Sequence, residues 1–480
     1  MSTTIRLEPQ EFQSAYNEII TVLDSSQKSR PKFQHIVKIY IDGVYSSKLK
    51  VTPNPAGLGV VNLSKHIESY VSGDLDLTDT NIFKQIPNSF VKYHIELEEE
   101  YLHNPNFLSV SDNGGFVQYN FTTDHEFSLG DFITVNASVP EGSYIGEQEI
   151  TNVVSTTAVV TTTAFTATSV GNAELTSGAT TIFTDAAVFS ADKFALNNVV
   201  DWVDVPSFDP TTYLVDSASP SDFLTNLDTT QTVLLDDRIN FNFYNKTSNE
   251  AEYLEVISTL GTIRIPNNFT TTSDANKFIS VGVAPADILN HTGSTVTVVS
   301  GIAAMIDDTI ESYTVQLIDS AFNPSTELFT FKVKSECSPY TNYKLIYLNK
   351  SGSFSGFNFE LGSNKKVKVN KKNYNKNYGS AAVNGETVTY GWNSYERGAS
   401  TYATDVTDTY SVTSDYITEL EGEKIADLIQ SPEVYHLDSS DVLRAVNINT
   451  NSVKIKTRLI DHLVNYSIDF TYATKNTTQR

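Results

Sequence analysis

Eight histidines stand at positions 35, 66, 94, 103, 125, 291, 436 and 462, and none falls in an HxH or HExxH pattern or beside the single cysteine, Cys337, at a ligand or nucleophile spacing. A zinc site needs three or four such side chains at one point, and a Cys/His nucleophile needs its base within hydrogen-bond reach. Neither is offered, so no metal and no cofactor is expected. The run His94-Ile-Glu-Leu-Glu-Glu-Glu-Tyr-Leu-His103 gathers acids and two histidines. As a strand it puts His94, Glu96 and Glu98 on one face and Ile95 and Leu97 on the other, which reads as an edge strand with a solvated face. Asp236-Asp237, Asp307-Asp308 and Glu419/Glu421/Glu423 are the acids from which glycoside hydrolysis would draw two carboxylates about 5 to 10 Å apart across a cleft. Adjacent Asp residues on a strand diverge, and at turns they act as turn formers, so no pair is assigned to catalysis. GxSxG, GxxxxGK[ST] and GxGxxG are absent, and the chain reads as non-enzymatic.

Two surface motifs remain. Lys365, Lys366, Lys368, Lys371, Lys372 and Lys376 form a dense basic run in a chain with 33 Lys+Arg against 57 Asp+Glu and a formal net charge of -24. Interleaved with Asn370, Asn373 and Tyr374, the run reads as a solvated hairpin or, where it acts, as a contact for the acidic surface of a neighbouring subunit. So negative a chain opposes any role held by phosphate contacts, and no nucleic-acid partner is expected. In Tyr390-Gly-Trp-Asn-Ser-Tyr-Glu-Arg-Gly398, the rings of Tyr390, Trp392 and Tyr395 read either as packing beneath a turn or as a shelf for a sugar face.

These motifs need elements to hold them. The 480 residues suffice for about three domains. Hydrophobic residues make 40%, aromatics 11% and charged residues only 19%, so Ser, Thr and Asn must finish the surface, as in a β-protein. Phe33–Lys48 reads as two strands about Asp42-Gly43, a hairpin signal. Ser64 would cap a short helix carrying Ile67, Tyr70 and Val71, stopped by Gly73. Strands follow at 89–97 and 115–122. Within 124–191 the chain turns Thr/Ala/Val-rich, and short strands at regular spacing predict a small barrel-like insert after an N-terminal β-domain of 1–123. Residues 192–235, broken by Pro206, Pro210 and Pro220, read as a connecting arm. Strands near 238–244, 252–259, 295–299, 313–318, 328–333 and 344–348 give a β-sandwich domain over 236–378. A C-terminal β-rich domain, 379–480, carries one convincing helix, Glu419–Gln430, with Ile425, Leu428 and Ile429 on its stripe and Pro432 ending it. A closing hairpin is expected from 453–459 against 464–472. The expected fold is mainly β, several antiparallel sandwich or small-barrel domains with one or two short helices.

Several stretches resemble a family of virion structural proteins of tailed bacteriophages infecting Bacteroidota. They are Phe33–Tyr40 with Val51-Thr-Pro-Asn-Pro-Ala-Gly-Leu-Gly59, Phe127-Ser-Leu-Gly-Asp-Phe-Ile-Thr-Val135 with Tyr144-Ile-Gly146, and Phe223-Leu-Thr225. Cys337-Ser-Pro-Tyr340, Leu348-Asn-Lys-Ser-Gly-Ser-Phe-Ser-Gly-Phe-Asn-Phe359, Leu428-Ile-Gln-Ser-Pro-Glu-Val-Tyr435 and Gln479-Arg480 complete the set. The resemblance implies a multi-domain β-protein of the tail, baseplate or neck that holds its neighbours or presents a host-binding component, without catalysis.

The opening residues carry no basic stretch followed by an apolar run, and no segment reaches the ~18 apolar residues of a membrane span, so synthesis in a cytoplasm is the expectation. The resemblance implies that it is the host bacterial cytoplasm and that the protein resides in the virion. Partners would be further copies in a homo-oligomer, other virion structural proteins and a host surface glycan, with Phe33–Ile41 or the closing hairpin adding to a neighbour's sheet. The alternative is a carbohydrate-binding adhesin or receptor-binding protein of a phage fibre or bacterial surface, and a third reading is a glycoside hydrolase that trims capsule.

Overall fold

The computed structural model describes residues 3–76, 79–103, 107–125, 127, 129–130, 132–135, 146–165, 181–184, 188–215, 220–246, 250–271, 277–293, 295–302, 306–334, 339–377, 379–396, 398–453 and 464–474. The fold is mainly β, and the described residues contain three short α-helices. The chain divides into two compact units, Met1–Asp74 with Pro87–Thr211, and Leu75–Ile86 with Thr212–Arg480.

The first unit is organised by the strand Phe90–His103. It pairs antiparallel with Gln34–Ile41 on one side and with Lys193–Leu196, Val188–Phe189 and Thr181–Thr184 on the other. Val91, Tyr93, Ile95 and Leu97 alternate inward as the sequence suggested, and with Val37, Ile39 and Ala195 they form a core covered by Leu23 and Val61 of a three-stranded sheet. The hairpin at Asp42-Gly43 is present: Ile41 faces Val44, and both turn residues lie at positive φ, 48° and 78°, the left-handed pair that a two-residue turn between twisted strands requires. The short helix spans Ser64–Ile67, but its N-cap is Leu63, and Asn62 Oδ1 accepts from Ser64 N at 3.0 Å. Ser64 therefore sits in the first turn instead of capping it.

The Thr-rich stretch does not close into a barrel among the described residues. Its strands Phe132–Val135, Gly146–Ser155 and Ala158–Ala164 join Phe116–Phe121 and Phe107–Asn113 in an open five-stranded sheet. The reason lies in its inward side chains: Val117, Tyr119, Phe121, Ile133, Ile150 and Val159 pack against Phe33 and Tyr101, so the sheet buries one face on a neighbour instead of enclosing its own interior.

In the second unit, a four-stranded sheet (Leu214–Val215, Asn240–Asn245, Lys277–Gly282 and Phe83–Gln85) faces a six-stranded one (Thr230–Val233, Phe329–Val333, Ser312–Ile318, Tyr253–Ser258, Gly261–Pro266 and Thr297–Gly301). Their shared core is aromatic at its centre, with the rings of Phe241 and Phe329 4.4 Å apart and Tyr313 stacked on Phe331 at 5.1 Å. Phe83–Gln85 comes from the excursion Leu75–Ile86 and pairs with Val281–Ile279, sending Ile82 and Phe83 into this core.

A third sheet of seven strands runs in the order Phe354–Phe359, Tyr343–Leu348, Val434–Leu437, Leu443–Ile448, Ser467–Tyr472, Ala399–Thr413 and Asn364–Asn375. The helix Glu419–Gln430 lays Ile425 and Leu428 into its core, and its start is fixed by a capping box between Thr418 and Glu421. Of the expected closing hairpin, the strand Ser467–Tyr472 is present but pairs with Leu443–Ile448, while residues 454–463 lie outside the described ones. Within this unit, the strand Tyr343–Leu348 is tied to the Asp236-Asp237 turn: buried Lys344 reaches Asp236 Oδ2 at 2.7 Å and Asp237 Oδ1 at 3.2 Å, and Asn358 donates to Asp237 at 2.8 Å.

Two expectations follow from these cores. His35 is fully buried beside Gly59, neither of its ring nitrogens has a hydrogen-bond partner among the described residues, and burial pushes its pKa from 6.5 down to about 4. Between those values the unfolded chain takes up a proton that the folded one refuses, so stability held above pH 6.5 is lost as pH falls toward 4. The loss is about 3 kcal/mol. His35→Leu is expected to flatten the decline of the urea midpoint of the first unit across that window, and an unchanged slope would assign the acid lability elsewhere. Phe83→Ala should destabilise the second unit by about 3 kcal/mol through the cavity it leaves. Hydrogen exchange should show the loss of protection at Asn240–Asn245 and Lys277–Gly282, with the first unit unchanged.

Candidate functional site

The basic run is a strand. Asn364–Asn375 pairs antiparallel with Ala399–Thr413, from Asn364 opposite Ser411 to Asn375 opposite Ala399, with one slip after Lys372. All twelve of its residues are exposed. Because side chains alternate along a strand, Lys366, Lys368 and Lys372 share a face with Asp405, which lies opposite Asn370, while Lys365, Val367, Val369 and Lys371 point to the other. Lys365 reaches Asp408 Oδ2 at 2.7 Å and lies over the Tyr410 ring at 5.3 Å, and the hydrogen bond to Asp408 holds its ammonium above the usual lysine range. Lys366, Lys368, Lys371, Lys372 and Lys376 make no ion pair among the described residues; Lys376 is placed through its backbone, whose N–H donates to Gly398 O at 2.7 Å.

Among the described residues, the strand Ala399–Thr413 is paired on its far side at Tyr410–Thr413, with Phe470–Ser467. Beyond that point the two strands stand out as a ribbon, and the segment joining them carries a second hairpin, Ser380–Asn384 with Thr387–Gly391. Apolar side chains are exposed along the whole projection: Val367, Val369, Tyr374 and Tyr402 on the ribbon, Val383 and Val388 on the hairpin. Tyr390, Trp392 and Tyr395 follow, 60%, 63% and 80% exposed, so these rings are not packed beneath a turn. The Tyr390 and Trp392 rings lie 6.5 Å apart and tilted by 52°.

The remaining chemical candidates resolve into structural pairings. The acidic face of the run from His94 belongs to an inner strand, not an edge, because Phe90–His103 is paired on both sides. Lys38 bridges Glu98 at 2.6 Å and Glu96 at 3.6 Å, the Tyr40 hydroxyl donates to Glu96 at 2.6 Å, and Lys50 meets Glu100 at 2.6 Å. The hydrogen bond to Glu96 raises the Tyr40 phenol above its usual range. Neighbouring Glu99 points inward and is fully buried, accepting from Thr3 at 2.8 Å and Ser25 at 2.5 Å. The strand alternation predicts that inward position, which an Ile or Leu pattern alone does not reveal. The histidines are dispersed: His125 is bonded to Phe127 N and Ser155 O, His66 to Ser46, and His436 to the Tyr472 hydroxyl. Cys337 and His462 lie outside the described residues, and among those described no three His, Cys, Asp or Glu side chains converge as metal ligands.

One cleft of about 280 Å³ does bring Asp237 and Glu421 onto common walls, with Lys334, Glu360, Asp415 and Lys424. Each acid there has a structural task. Asp237 accepts from Leu234 N and Asn358, Glu421 closes the capping box, and Lys334 ties Glu360 at 2.8 Å to Asp415 at 2.7 Å. Asp307 is bonded to Thr309 in a turn. Nor are the expected sheet edges free: Gln34–Ile41 is flanked by Val44–Val51 and Phe90–His103, and Ser467–Tyr472 by Leu443–Ile448 and Ala399–Thr413. The ribbon and its hairpin bring the lysine run and the aromatic run of the sequence onto one projection.

No known protein family, curated protein or solved structure matches this chain, so the ribbon is interpreted from its own geometry.

Proposed function

We propose that this chain is a non-enzymatic structural component of a tailed-phage virion, in the tail, baseplate or neck, where it mediates subunit assembly and anchors host-binding proteins. The observation that supports the reading is the ribbon of Asn364–Asn375 with Ala399–Thr413, whose basic strand is exposed throughout and which displays Val367, Val369, Tyr374 and Tyr402 to water. A two-stranded ribbon has no core of its own and is marginal in water, so a neighbour's surface is the natural cover for its apolar side chains. The acidic Ser/Thr/Asn surface and the resemblance described above support placing that neighbour in a phage particle. The chain would be made in the host bacterial cytoplasm and reside in the virion, beside further copies of itself and other virion proteins. Peptides of this chain are expected in density-banded tailed particles from cultures that carry its gene. Their presence only in the particle-free supernatant would overturn the reading.

A second reading, a carbohydrate-binding adhesin or receptor-binding protein, is favoured by the exposure of Tyr390, Trp392 and Tyr395, since an apolar ring in water beside polar groups is what a sugar face stacks upon. On a glycan array, this reading expects binding that Trp392→Ala reduces at least tenfold. Equal signals from both proteins would remove the shelf.

A further inference from the structure

We infer that Lys344 and Asn358 become covalently joined: Lys344 Nζ attacks Cγ of the Asn358 carboxamide, an amide bond forms between the two side chains, and the carboxamide nitrogen leaves as ammonia. The bond is independent of the assembly role proposed above. Lys344 and Asn358 stand directly opposite each other on the antiparallel strands Tyr343–Leu348 and Phe354–Phe359. Residues so placed share one face of the sheet with their Cβ atoms about 5 Å apart, within the reach of a lysine side chain.

The neighbours supply what such a reaction needs. Asp237 Oδ1 lies 3.2 Å from Lys344 Nζ and accepts from Asn358 Nδ2 at 2.8 Å, so one carboxylate oxygen touches both the attacking and the leaving nitrogen. A proton given up by the first can be handed to the second through that carboxylate. The Asn358 side-chain carbonyl accepts from Asn342 Nδ2 at 3.2 Å, a donor placed where negative charge grows as the tetrahedral centre forms. Asp236 holds the same Nζ through its Oδ2 and its backbone carbonyl, each at 2.7 Å, which restricts the amine to this corner. The Lys344 and Asp237 side chains are almost fully buried, so the product amide is shielded from hydrolysis.

The step needs no oxidant or co-reactant. The Lys344 ammonium passes one proton to Asp237, and the freed lone pair forms the Nζ–Cγ bond. Asp237 delivers its proton to Nδ2 and takes a second from Nζ, the Cγ–Nδ2 bond breaks, and ammonia departs with three hydrogens. A neutral amide and a neutral Asp237 carboxyl remain where a buried ion pair stood, which removes two desolvated charges together. Asp236, with its side chain 62% exposed, is left to water.

Mass spectrometry of the purified full-length chain tests the bond. Wild type is expected one ammonia lighter than its sequence. Trypsin cuts after Lys350, yet residues 335–350 are expected to stay attached to 351–365 through positions 344 and 358. Lys344→Arg keeps a cation for the two acids but offers no amine, and Asn358→Ala removes the acceptor carbon. Each variant should run at the full mass of its sequence and release 351–365 as a free peptide. A wild type at full sequence mass, an ammonia deficit that maps to another segment, or a joined fragment in either variant overturns the inference. The wild-type digest decides by itself, so a variant that misfolds does not shelter the bond from refutation.

Discussion

Every strand carries backbone donors and acceptors along both edges, and a mostly β chain depends on where each edge finds its partner. In the first unit the answer is Phe90–His103, paired on both sides, with its inward residues building the core and its outward acids answered by Lys38, Lys50 and Tyr40. In the sandwich the edge of Lys277–Gly282 is completed by three residues from the excursion, Phe83–Gln85. On the ribbon, the basic strand Asn364–Asn375 ends its sheet among the described residues, with its lysines and valines displayed to water.

The same accounting governs charge. With a net charge of -24, the chain must keep its acids solvated or answered. Inside the second unit, Lys344 is the answer to the Asp236-Asp237 turn, at side-chain exposures of 5%, 62% and 8% respectively, and removing a cation so buried leaves carboxylates without their partner. Lys334 does similar work for Glu360 and Asp415 at a more open position, where solvent screening weakens each pair. The lysines of the ribbon contrast with both: they are displayed in water and, Lys365 apart, they neutralise no acid of their own chain among the described residues.

Much of this was legible in the sequence because it was local. The Asp42-Gly43 hairpin, the helix Glu419–Gln430 and the strands near 253–258, 312–318 and 329–333 each declare themselves within a dozen residues, through turn chemistry, capping or alternation. What stayed hidden is pairing between distant segments. Nothing near Phe83 signals that its strand partner lies at Val281, and nothing near Lys344 signals Asp237. The lysines and aromatics of the ribbon were visible as motifs, but their meaning depends on a strand that returns some thirty residues later. The apparent edge strand at His94 was misplaced for the same reason: alternation gives the faces of a strand and says nothing about its neighbours.

The excursion Leu75–Ile86 also sets a clock. Its strand leaves the ribosome about 190 residues ahead of Lys277–Gly282, which at ~5–20 residues per second is a wait of roughly 10 to 40 s. For that interval Ile82 and Phe83, destined for a core, are held in a loop whose ends belong to the first unit. The nascent chain therefore carries a sticky apolar segment through the synthesis of more than a third of its length.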